Sequence, residues 1–418
     1  MAKNNIPMQE MTLIDYGLRF FQDAKAALAE MPRASRWFHA FWLLGPFILL
    51  IERSPADAWL TFLAISFVVR VIIKRQSDWL RAFWVRSIFA FWFVCLTSAA
   101  LSELPGYSFI EAFIWVRFPL FAMACCFWLG RDRRLVVAMI GSCLLAMLLM
   151  SMILLLELIF IGMQFGRLSW PYGDFVTGNY LAKASMPAFC VVAAIASSSN
   201  IRLALPASII FLFTLIMSLF TGERMNFLLR STAALVASLS WKPSLKMLLP
   251  LCFGTSLVVA LSLAFNPLFI NRVFDFFRDL PTDFSSPYLR VWYGGIEAFH
   301  TSPIIGIGPD NYRMMCSKIS GQSAYVDCHT QPHNFYIQIA AETGLIGLLF
   351  AIVMILSLMW VCFKGRICSN KNVITATAYV VPFAFFFPLQ STADFFGQWN
   401  NIFMWSALGV AMSSVCSR

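Results

Sequence analysis

Apolar residues fall along this chain in long blocks. A helix that crosses a bilayer needs about 20 mostly apolar residues. Runs of that kind lie near 37–53, 56–74, 83–101, 109–130, 135–162, 180–199, 203–220, 226–241, 246–266, 333–361, 373–389 and 398–415. They predict an all-α integral membrane protein with about twelve spans. The run at 226–241 is short, and no repeat period is visible. Pro119, Pro187, Pro206, Pro382 and Pro388 fall within runs and predict kinks, which membrane helices tolerate when neighbours satisfy the freed carbonyls. The pattern divides the chain into an amphipathic segment over 1–36, nine spans over 37–266, a long loop over 267–332 and three spans over 333–418. The first segment lacks the apolar region and cleavage site of a signal peptide. Leu13, Tyr16, Leu18, Phe20, Phe21 and Ala24 to Leu28 predict a stretch lying on the membrane surface, with a frayed polar tail as the alternative.

Composition agrees. Of 418 residues, 60% are hydrophobic and only 12% charged, about half the charged share of a soluble domain. The +10 net charge does not point to nucleic acid, because the basic residues are scattered between apolar runs. Lys74, Arg75, Arg81, Arg131, Arg133, Arg134, Arg202, Lys242, Lys246, Lys364, Arg366 and Lys371 all fall in even-numbered loops. The odd short loops carry only Arg53, Arg167, Lys183 and Arg224. By the positive-inside rule the even loops and both termini are cytoplasmic, and the 267–332 loop faces outward. Cys316 and Cys328 lie twelve positions apart in that loop. An oxidising compartment permits a bridge between them, though spacing alone leaves it open. Most of the other cysteines read as small residues in spans.

Basic residues in outward loops run against the orienting rule. Arg224, at the end of Thr221-Gly222-Glu223-Arg224, and Arg272, Arg278, Arg290 and Arg313 suit a phosphate or diphosphate at headgroup level, which guanidinium forks bind well. The competing reading is lipid headgroups or pairing with Asp275, Asp279, Asp283 and Asp310; it is favoured for Arg278 and Arg313, the functional one for Arg224 and Arg290. Ionisable residues within spans face a cavity or a partner. Arg117 either joins the outward site, pairs with Glu111 or snorkels, and Glu157 and Arg230 raise the same question. Of four histidines, His39 reads as a headgroup-level residue and His300 as structural. His329 and His333 flank the entrance to the tenth span, where a histidine accepts a proton near neutrality. Pro332 disfavours a helix carrying both. No zinc pattern, Walker motif, dinucleotide fingerprint or Gly-x-Ser-x-Gly elbow is present. Glu342 lies nine residues after His333, about 900° around a helix, so the two are not an acid–base pair. Glu342 instead reads as a fastening to a neighbour, with Gly344 and Gly347 allowing close helix approach.

The segment from His333-Asn334-Phe335 to Glu342-Thr343-Gly344-Leu345-Ile346-Gly347 resembles the signature of the O-antigen ligase and polymerase superfamily. Arg290-Val291-Trp292-Tyr293-Gly294-Gly295, Pro303, and Gly306-Ile307-Gly308-Pro309-Asp310-Asn311-Tyr312 are similar to that family's outer loop. Thr221-Gly222-Glu223-Arg224 matches its short loop ending in arginine, Asn271-Arg272 a basic position of the ligases, and Gly178-Asn179 a weaker feature. The resemblance implies a GT-C-like glycosyltransferase of the bacterial inner membrane with a periplasmic active site. The donor would be a glycan on undecaprenyl diphosphate and the acceptor lipid A–core, with inversion and neither cofactor nor metal. It implies His333 as general base and Arg224, Arg290 and Arg272 on the diphosphate, with Asn334, Glu342, Arg117 and His329 as possible support. The ligase reading stands ahead of a polymerase that extends lipid-linked repeats, then a protein O-oligosaccharyltransferase. A transporter or lipid flippase is the alternative from another class, weakened because the polar candidates gather at one face rather than at mid-membrane.

Overall fold

The computed structural model describes residues 13–164, 166–173, 176–265, 286–321, 326–368, 372–388 and 393–416. Among them it is helical, with two isolated bridges and no strand. Helices α1 (Leu13–Ala29), α2 (Arg33–Leu43) and α3 (Gly45–Ile48) lead into α4 (Arg53–Ile73) and α5 (Phe83–Ala100). Then follow α6 (Pro105–Trp115), α7 (Arg117–Phe127) and the long α8 (Arg133–Phe160). The sixth run is broken into α9 (Val176–Asn179), a π-turn (Tyr180–Ala184) and α10 (Met186–Ala196), bent by 61° just ahead of Pro187. Next come α11 (Ile201–Phe220), α12 (Arg224–Ser238), α13 (Leu245–Phe265), α14 (Pro287–Thr301) and α15 (Tyr312–Ser320). The chain closes with α16 (Phe335–Cys368), the short α17 (Val373–Thr377) and α18 (Val380–Phe385), and α19 (Gln398–Cys416).

Every apolar run is thus helical, but not every run is one straight span. Six described helices are long and apolar enough to cross a membrane, or seven if the bent pair counts as one. The first run is split between α2 and α3, and the eleventh between α17 and α18. Length and hydropathy reveal apolar blocks; they do not reveal where the backbone breaks inside them.

Helix α10 sits at the centre, packed on α8, α11, α12, α17 and α19. Its sequence, Met-Pro-Ala-Phe-Cys-Val-Val-Ala-Ala-Ile-Ala, is rich in small residues, which let neighbouring backbones approach closely. Phe91, Trp115, Phe395 and Trp405 form an aromatic cluster within the same core. Large apolar side chains such as Ile65, Phe93, Leu149, Ile209, Phe253 and Leu349 point outward, as a surface solvated by lipid requires.

The contacts sort the loops onto two ends of the bundle. At one end Arg134 pairs with Glu30 at 2.7 Å, Arg131 donates to Gln76 at 3.3 Å, Ser244 N–H donates to Ser197 O at 2.9 Å, and Arg366 reaches Tyr379 at 2.9 Å. These are the even loops, which hold most of the basic residues. At the other end Lys318 pairs with Glu103 at 2.6 Å, Leu168 N–H donates to Phe220 O at 2.8 Å, and Arg53 donates to Gln398. These are the odd loops.

Several single-residue expectations change. His39 is buried among Phe38, Trp42 and Trp128 and hydrogen-bonds through Nδ1 to Ser35 O at 2.7 Å, so its ring packs in an aromatic cluster. Glu157 is explained by the loop after α8, accepting from Ser169 N–H at 2.9 Å and Trp170 N–H at 2.9 Å. Arg230 stacks on Phe189 at 3.8 Å and donates to Thr214 at 3.3 Å. Cys316 and Cys328 are bridged. Cys126 and Cys416 are bridged as well; packing of α19 on α7 joins thiols that are 290 residues apart and that read as core residues from the sequence. Cys95, Cys125, Cys143, Cys190 and Cys362 are free and buried.

Candidate active site

A cavity of about 460 Å3 opens at the odd-loop end. It is assembled from segments far apart in sequence: Arg167, Asn179 and Lys183, then Glu223 and Arg224, then Tyr288, Gln331 and His333, and finally Asn400. The turn carrying Arg224 needs Gly222 at φ +71°, a conformation glycine adopts freely. Gly178 makes room for that turn, since a Cβ there would lie 2.8 Å from Glu223 Cγ and 2.9 Å from Thr221 Oγ1. Arg224 is the first residue of α12.

His333 stands two residues before α16, at φ +53°. A non-glycine residue in that region is uncommon and is held there by its surroundings. Asn334 does the holding. Its Oδ1 accepts from Tyr336 N–H at 3.0 Å and Ile337 N–H at 3.2 Å, capping the helix, while its Nδ2 donates to Pro388 O at 2.9 Å. The imidazole Nδ1 lies 3.5 Å from Gln331 Nε2. The ring of exposed His329 is 5.7 Å away between centroids, but His329 does not line the cavity.

Among the described residues, three cations and one carboxylate line this space. Arg167 pairs with Glu223 at 3.0 Å, and Lys183 donates to the neutral Asn400 Oδ1 at 2.8 Å. The balance is cationic, so the cavity suits an anion, with an imidazole at its rim.

The other anticipated residues lie elsewhere. Arg290 is paired with Asp327 and does not line the cavity, although Tyr288 on the same helix does. Arg117 pairs with Asp57 at 3.1 Å rather than with Glu111; the partner is 60 residues away, beyond what local spacing can indicate. Arg272 and Arg278 lie outside the described residues, as do Asp275, Asp279 and Asp283.

Glu342 belongs to a second, closed cluster. Its Oε1 accepts from Tyr312 N–H at 3.1 Å and its Oε2 from Gln338 at 3.3 Å. Gln338 also donates to Asp394 at 2.7 Å. Arg313 pairs with Asp310 at 2.7 Å and also with Asp394, and Tyr107 donates to Asp310. Here the loop after α14 docks on a break in α16. Ile307 N–H donates to Ala341 O at 3.0 Å, Gly308 N–H to Glu342 O at 2.9 Å and Leu345 N–H to Pro303 O at 2.9 Å. Gly344 (φ +67°, ψ −171°) marks the break. It admits a loop, not the neighbouring helix that the sequence suggests, for a Cβ there would lie 2.2 Å from Ile304 O. Among the described residues, no three His, Cys, Asp or Glu side chains are grouped as metal ligands.

Fold and site together define a multi-pass helical membrane protein with a histidine-and-cation pocket at one end of its bundle. Residues 209–352 match the family model described as O-antigen ligase, so through that segment the chain is similar to that family. A search of the curated proteins finds no match. The matched segment carries Arg224 and His333, whereas Arg167, Asn179, Lys183 and Asn400 lie outside it. The sequence offered one signal for Arg167 and Lys183: with Arg53 and Arg224, they are the basic residues of the short odd loops.

Proposed function

We propose that this protein is an O-antigen ligase of the bacterial inner membrane, transferring a glycan from undecaprenyl diphosphate to a sugar hydroxyl of lipid A–core. The observation that carries this reading is the convergence of His333, Lys183 and Arg224 on one cavity at the odd-loop end. The positive-inside rule makes that end periplasmic and both termini cytoplasmic, with the twelve apolar runs crossing the bilayer.

The acceptor oxygen attacks the anomeric carbon from the side opposite the diphosphate. A new C–O bond forms as the bond to the diphosphate oxygen breaks, which inverts the centre. His333 takes the hydroxyl proton, and the electron pair leaves with the lipid diphosphate. Lys183 and Arg224 meet the growing charge, binding the transition state more tightly than the ground state. Arg290 joins by exchanging Asp327 for a phosphate oxygen, and Arg272 is a further contact. Because these cations neutralise the leaving group, transfer is expected to survive EDTA.

The test incubates purified protein with a lipid-diphosphate-linked glycan and lipid A–core in EDTA, beside His333→Ala and Arg224→Ala. A lipopolysaccharide band that requires both residues supports the ligase. Longer lipid-linked glycans in place of that band would mean a polymerase, and no transfer by folded protein would refute the glycosyltransferase reading.

A further inference from the structure

A second cavity, of about 700 Å3, lies at the opposite end of the bundle, among the even loops. Arg70 and Arg131 line it together with Phe67, Val71, Trp79 and Phe127, and with one carboxylate, Asp78, which is itself paired with Arg81 at 3.6 Å. Arg70 is in the last turn of α4 and stacks on Trp128 at 4.6 Å. Among the described residues, the Arg131 guanidinium donates only to the neutral Gln76, at 3.3 Å. Among the described residues neither guanidinium forms an ion pair. Their neighbours at the same end do: Arg134 has Glu30 and Asp132, and Arg81 has Asp78. The two unpaired guanidiniums repel each other, so an anion between them would relieve both. Phe67, Val71 and Phe127 line the same space as the two guanidiniums, and Ile72 and Ile73, next in sequence to Val71, are exposed.

We infer that this cavity binds an anionic phospholipid, its phosphate between Arg70 and Arg131 and an acyl chain along the aromatic wall. A phosphate ester is the shared chemistry. The lipid is preferred to free phosphate because most of the lining is apolar and the mouth sits where a helix of the membrane region meets a basic loop. Basic pockets between spans at the positively charged face hold lipid headgroups in this way. The site is separate from the His333 cavity, sharing no lining residue with it.

Native mass spectrometry of the full-length protein in detergent tests the assignment, with phosphatidylglycerol, phosphatidylethanolamine or inorganic phosphate added. Wild type should retain phosphatidylglycerol roughly 25-fold better than phosphatidylethanolamine, from about a fivefold gain for each of the two basic residues at a lipid surface. Arg70→Gln/Arg131→Gln should abolish that preference, while Lys183→Met should preserve it. Arg131→Gln alone, on an exposed side chain, should weaken the preference without disturbing the packed Arg70. Equal retention of the two lipids would overturn the proposal, as would a preference that survives the double substitution. Inorganic phosphate that displaces phosphatidylglycerol completely would overturn the lipid assignment.

Discussion

The His333 cavity and the Glu342 cluster are near neighbours built on opposite principles. Among the described residues that line the cavity, three cations face one carboxylate, and the space between them is open. In the cluster three buried carboxylates come together: Asp310 and Asp394 share Arg313, and Gln338 bridges Asp394 to Glu342. An excess of one charge around open space is arranged for a ligand of the other sign. Charge enclosed and hydrogen-bonded holds backbone segments in register. The two meet at Asn400, which accepts from Lys183 and donates to Asp394 O at 3.1 Å. The family-like motifs therefore divide: His333 and Arg224 face the open space, while Gly306, Gly308, Glu342 and Gly344 dock a loop on a broken helix.

Breaking each half should have a different signature. The largest effect is expected for His333→Ala, a loss of about 10²–10⁴-fold in transfer rate, with thermal unfolding unchanged because the imidazole is not part of the packed core. Gly344→Ala should act through stability: its backbone conformation is nearly exclusive to glycine, costing about 1–3 kcal/mol for another residue, and the new Cβ would collide with Ile304. Lower yield of folded protein and a depressed Tm would check this; unchanged yield and Tm would contradict it. Lys183→Met should weaken donor use by about 10–100-fold, the scale of a lost charge-assisted hydrogen bond. Steady-state kinetics with a soluble donor analogue would measure it.

The smallest effect is a pH dependence. Burial first, and the charge of Asp394 second, push the Asp310 carboxyl up from 3.8 to about 7. The folded protein therefore keeps a proton that the unfolded chain releases above about pH 4. Its contribution favours folding at low pH, is lost as pH rises from about 4 to about 7, and is constant above. Asp310→Asn should flatten that part of the Tm profile. A variant profile as steep as the wild type's would assign the slope to another group.

The sequence was most informative where one residue type repeats and least informative where two distant residues meet. Apolar blocks revealed the helices of the twelve runs but not α14 and α15, which lie in the segment read as a loop, and the uneven distribution of Lys and Arg separated the two ends that the contacts define. Arg224 and His333 stood out locally, one by its place in an outward turn and the other by its place before a span. The partners did not. Asp327 beside Arg290, Asp57 beside Arg117 and Cys416 beside Cys126 are brought together by helix packing, which leaves no trace in local spacing. Lys183 was visible only as an exception to the charge bias; the 61° bend before Pro187 belongs to the broken helix that carries it.

The central claim is that the His333 cavity receives the lipid diphosphate. It is tested most directly by binding of unglycosylated undecaprenyl diphosphate to wild type, Lys183→Met, Arg224→Gln and, as a control at the opposite end, the exposed Arg202→Gln. The account predicts affinity reduced at least about tenfold by each cavity substitution and unchanged by the control. Equal affinity across all four proteins, each shown to be folded, would contradict it.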